Sequence, residues 1–84
     1  MHTVQTVIHD EIGLHARPAA RFSKAAAGFQ SDIRIRKEGD DADFNAKSIT
    51  AVLRMGAVRG TRVIITAEGP DEKEACDSLL KTIE

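Results

Sequence analysis

Between Thr3 and Ile8 the chain alternates, with Val4, Thr6 and Ile8 falling on one face. A period of two in β-branched residues predicts a half-buried strand. His9 to Leu14, containing Gly13, reads as a loop. From His15 the period lengthens: Ala19, Phe22, Ala26 and Phe29 recur at steps of three and four on an alanine-rich background. That spacing predicts an amphipathic helix ending at a Gly28 cap. Pro18 is compatible with it, because amides of a first helical turn have no intrahelical acceptor anyway. Ile33 and Ile35 then alternate with Arg34 and Arg36, and beyond the turn Glu38-Gly39-Asp40-Asp41 a short strand through Ala42 and Phe44 closes a hairpin. Ile49, Val52, Leu53 and Met55 ahead of Gly56 predict a helix of about two turns. Thr61 to Ala67 forms the last strand, with Val63 and Ile65 toward the core, and Glu68-Gly69-Pro70 breaks the chain. Asp71 with Glu74 three residues on matches a capping box, opening a helix whose Ala75, Leu79 and Ile83 share a stripe.

The order β-α-β-β-α-β-α in 84 residues predicts an α+β fold, one largely antiparallel four-stranded sheet with three helices packed on one face, in a single domain spanning 1–84. Phe22, Phe29 and Phe44 belong to its core. So small a body has little room for an enclosed active site, so its chemistry is expected on a convex face that a partner covers. Cys76 is the only cysteine, which excludes an internal disulfide and, with no charged and apolar leader, points to a cytoplasmic protein. No apolar run is long enough to span a membrane. A net charge of −1 lacks the electrostatic footprint of a nucleic-acid binder. The charge is uneven, however. Arg17, Arg21 and Lys24 share one segment and Lys47, Arg54 and Arg59 another, while acids gather at Asp40, Asp41 and Asp43 and at Asp71, Glu72 and Glu74. Basic patches of this kind suit acidic partner surfaces.

Chemistry concentrates in Gly13-Leu14-His15-Ala16-Arg17-Pro18-Ala19. An imidazole at a helix entry meets the free amides of Ala16 and Arg17 and the positive end of the helix dipole, which together make an anion site. The same potential disfavours a proton on the ring, leaving a neutral nitrogen nucleophile near pH 7. A phosphoryl group on that nitrogen finds the amides and the Arg17 guanidinium as donors. On the residues alone, a capping histidine beside a surface arginine reads equally well. His2 and His9 fit no metal-ligand spacing, so neither metal nor cofactor is expected.

Gly-Leu-His15-Ala-Arg17-Pro18-Ala-Ala resembles the active-site signature of the histidine-containing phosphocarrier family HPr, of the bacterial phosphoenolpyruvate-dependent sugar phosphotransferase system. Asn45-Ala46-Lys47-Ser48-Ile49 resembles its second signature, and Gly60-Thr61 through Ala67-Glu68-Gly69 its last strand and turn. The resemblance implies an open-faced β-sandwich and a carrier that is not itself a turnover enzyme. It also implies that enzyme I phosphorylates Nδ1 of His15 and that the group passes to the EIIA domains of sugar permeases, with Arg17 beside the phosphate. Ser48 matches the serine modified by a dedicated ATP-dependent kinase, the HPr kinase/phosphorylase. Equally, a serine before an apolar helical run is a good N-cap and needs no kinase.

Partner docking is expected around His15. Ile49 and Leu53, four residues apart, form one exposed stripe while Val52 and Met55 point inward, although plain core packing is the first expectation for either. Arg21, Lys24 and Arg54 supply a basic rim or only a solvated face. Thr50 departs from the large apolar residue more frequent in the family. Two alternatives accompany the sugar-transport reading: the nitrogen-branch regulatory carrier, and an interaction module governed by Ser48 phosphorylation. Family members devoted to the latter lose the histidine. A carrier alternating between partners is expected to be monomeric.

Overall fold

The computed structural model describes residues 1–9 and 16–83. Its elements are β1 (His2–Val7), α1 (Ala16–Ala27), β2 (Asp32–Lys37), β3 (Phe44–Asn45), α2 (Ile49–Met55), β4 (Arg62–Glu68) and α3 (Glu72–Ile83), in the order the periodicities predict. The loop expected over His9 to Leu14 lies, from Asp10 onward, outside the described residues. The strands form one sheet ordered β1-β4-β2-β3, antiparallel at every pairing. Register aligns Val4, Ile65 and Ile35 in one cross-strand row and Gln5, Ile64 and Arg36 in the next. Successive side chains on a strand point to opposite faces, so the first row looks inward and the second outward.

On the inner face Ile33, Ile35, Val63, Ile65 and Ala67 meet Phe22 and Ala26 of α1, Val52 and Met55 of α2, and Ala75, Leu79 and Ile83 of α3 in one buried cluster. Phe29 and Phe44 are half-buried against it. Removal of each such side chain from water contributes about 1.5–3 kcal/mol, so the apolar stripes that define the helices also fix them to the sheet. The outer face stays open.

Three local expectations are corrected. β3 starts at Phe44, with Ala42 outside it. α1 does not end in a left-handed glycine: Gly28 is absent from the positive-φ residues, and the last turn tightens instead through Gly28 N–H to Ala25 O at 3.2 Å and Phe29 N–H to Ala26 O at 3.1 Å. Asp71, thirdly, is not a local capping box. Its carboxylate accepts from the amides of Gln30 and Ser31, each at 2.9 Å, and from the Ser31 hydroxyl, tying the α1–β2 turn to the start of α3. Gly69 permits this approach, because a Cβ there meets Ser31 Cα at 2.6 Å.

Candidate functional site

Of the residues singled out for chemistry, Gly13, Leu14 and His15 lie outside the described residues. α1 starts immediately after, at Ala16, and its first-turn amides lack intrahelical acceptors. No acidic residue occupies that turn. Arg17 does, and is exposed, although a cation at a helix N-terminus opposes the dipole by about 0.3–1 kcal/mol. Helix stability therefore gives no reason for this arginine, whereas an anion held at the same place does. Lys24 and Arg54 differ: they stand in the last turns of α1 and α2, where the dipole favours them.

Residues 17, 21 and 24 are spaced by four and three, and all three side chains are exposed, which makes one cationic stripe along α1. The opposite side of the helix, Ala19, Phe22 and Ala26, is fully buried. None of the three cations, nor Arg54, forms an ion pair with a carboxylate among the described residues.

α2 packs beside α1. Its entry is fixed by Ser48, whose Oγ accepts from the Ala51 amide at 3.2 Å, and its exit by Gly56, whose φ of 67° permits a bond from its N–H to the Leu53 carbonyl. Between these caps Val52 and Met55 are buried, while Ile49 and Leu53 are 40% and 41% exposed. The first expectation of core packing for Ile49 and Leu53 is thus corrected, since a two-turn helix with its inner positions already filled turns the other two to solvent. Thr50 is exposed beside them.

Two features escaped the sequence reading. Lys47 Nζ donates to the Phe29 carbonyl at 2.8 Å, joining the approach to α2 to the end of α1 across 18 residues. Val58, in the turn after α2, is 60% exposed. No local pattern announces either. Cys76 is buried on α3, and burial pushes its thiol up, the reverse of what a reactive thiolate needs. Among the described residues no group of three His, Cys, Asp or Glu side chains is placed to hold a metal ion, and no helix is long and apolar enough to cross a membrane.

Known proteins match this arrangement over nearly the whole chain. Residues 2–84 fit the family model described as the PTS HPr component phosphorylation site. The phosphocarrier protein HPr of Vibrio cholerae is 45% identical over 80 residues, covering 95% of this chain and 92% of that protein. The HPr of Cupriavidus necator is 40% identical, covering 93% and 85%. Among solved structures, HPr from Thermoanaerobacter tengcongensis superposes with a TM-score of 0.91 at 42% identity, over 99% of this chain and 91% of that one. Crh, the Bacillus subtilis catabolite repression protein, described as a swapped-domain dimer, superposes at 0.75 with 36% identity, over 99% and 93%. Matched by the family model over residues 2–84 and by these relatives over most of their length, the chain belongs to the HPr family of phosphocarrier proteins.

Proposed function

We propose that His15 takes a phosphoryl group on Nδ1 from phosphorylated enzyme I and delivers it to the EIIA domains of sugar permeases. The observation that supports this most is the helix beginning one residue later: a first turn free of acid, whose amides have no intrahelical acceptor, and an arginine where the dipole alone disfavours one. As the nitrogen–phosphorus bond forms, the bond from phosphorus to the donor breaks, and charge rests on the three equatorial oxygens. The amides of Ala16 and Arg17 and the Arg17 guanidinium are the donors available to those oxygens. Being exposed, Arg17 compensates charge without trapping the group, as a relay requires.

Docking falls to Ile49 and Leu53, framed by Arg21, Lys24 and Arg54, against an acidic partner surface. Ser48 carries a second role as the regulatory phosphorylation site. A phosphate on Oγ replaces a neutral cap acceptor by about two negative charges beside Ile49, opposing the approach of that same acidic surface. The working state is a cytoplasmic monomer.

Incubation with enzyme I and labelled phosphoenolpyruvate tests the relay. Acid-labile label is expected on the wild type, slower labelling on Arg17→Ala and none on His15→Ala; full labelling of His15→Ala refutes it. With the kinase and ATP, acid-stable label that disappears in Ser48→Ala supports regulation, and an unlabelled wild type leaves capping as the sole role of Ser48.

A further inference from the structure

A groove of about 600 Å³ lies between the later turns of α1 and the last turns of α3, within the size range of small-molecule sites. Its base is apolar: Ala25, and Phe29, whose ring is half-buried against the core. Three exposed cations line it, Arg21 and Lys24 from α1 and Lys81 from α3, with the hydroxyl groups of Ser78 and Thr82. Among the described residues no carboxylate lines the groove, and none of the three cations is ion-paired.

Like charges gathered around an apolar base repel one another, and an anion placed among them relieves that repulsion. A purely inorganic anion, however, leaves the Phe29 surface uncovered, and a neutral apolar body leaves the cations uncompensated. The geometry points to a binding site for a small organic monophosphate with a flat aromatic body, its ring on Phe29 and its phosphate among Arg21, Lys24 and Lys81. The lining comes from Arg21 onward on α1 and from α3, and Lys81 has no part in the docking surface proposed above. Arg21 and Lys24 are shared with that surface, so a bound phosphate ester lowers the affinity for an acidic partner. That consequence rests on the docking reading above, whereas the binding itself does not.

The test is a titration of the full, isotopically labelled chain with 1-naphthyl phosphate, followed by amide NMR. Saturable shifts are expected at residues 21–29 and 78–82, with 1-naphthol and inorganic phosphate each weaker there by about tenfold or more. Lys81→Glu should weaken binding by about tenfold, with unchanged Tm and unchanged phosphorylation by enzyme I, and Lys81→Arg should retain binding. The absence of saturable shifts, shifts confined to the start of α1, equal binding of 1-naphthol, an indifferent Lys81→Glu, or tighter binding of an oligoglutamate peptide at the same amides each overturns the assignment.

Discussion

On the outer side of the sheet Arg34, Arg36 and Arg62 stand 3.6, 3.8 and 2.9 Å from Asp32, Asp43 and Glu38, whereas on the exposed sides of α1 and α2 Arg17, Arg21, Lys24 and Arg54 meet no carboxylate among the described residues. Both surfaces are rich in cations, yet among the described residues only one pairs them with acids of its own. The sheet pairs are solvent-exposed and contribute little stability each. Their effect is to offset the local field on a face with no helix over it. The helical side keeps its field at the cost of some self-repulsion, which raises the encounter rate with an acidic surface. Among the described residues the two faces differ in the placement of the acids, not in the number of arginines, and that difference is what the docking proposal rests on.

The strongest way to break this contrast is to reverse charge on both surfaces. Arg17→Glu combined with Arg21→Glu should lower kcat/KM for phosphorylation by enzyme I by about a hundredfold, roughly 2.7 kcal/mol. Arg34→Glu should leave it within about twofold. Equal losses from the two faces would remove the distinction. Next in size, α2 separates the two kinds of apolar residue: Val52→Ala should cost about 2 kcal/mol in denaturant unfolding, while Leu53→Ala should spare stability and slow transfer to the EIIA partner. The smallest effect sharpens the account of Ser48. Ser48→Ala should cost about 1 kcal/mol through loss of the cap, and Ser48→Asp, which keeps an acceptor, should recover most of it.

Strong periodicity made most of the fold legible. The stripe Ala75, Leu79 and Ile83 specifies both the existence of α3 and its buried side, and Val52 with Met55 does the same for α2. Both caps of α2 are local signals, so they too were readable. What was not readable depends on residues distant in sequence. Asp71 and Glu74 have the spacing of a cap, but Gln30 and Ser31 offer better donors, and only the folded chain brings them within reach. In the same way Lys47 carries no local sign of its bond to the Phe29 carbonyl. Of the site, Arg17 and the start of α1 follow from the motif, while His15 itself lies outside the described residues.

The misread aspartate has its own measurable signature. The Ser31 hydroxyl first, and then the Gln30 amide, hold the Asp71 carboxyl below its ordinary value of 3.8. A depressed carboxyl contributes stability that is complete above the ordinary value and is lost as pH falls through the folded one. Thermal unfolding followed down through that range should therefore decline more steeply for the wild type than for Asp71→Asn, and parallel profiles would refute the clamp.

β4 is the last strand along the chain and yet is flanked by both β1 and β2. A ribosome extruding this polypeptide therefore releases β1, α1, the β2–β3 hairpin and α2 before either long strand has its mate. Until Glu68 has emerged, β1 is unpaired on both of its edges and available to wrong pairings. A product terminated before Arg62 retains only a two-stranded ribbon, too little to persist in water, and becomes a substrate for chaperones or proteases rather than a shortened carrier.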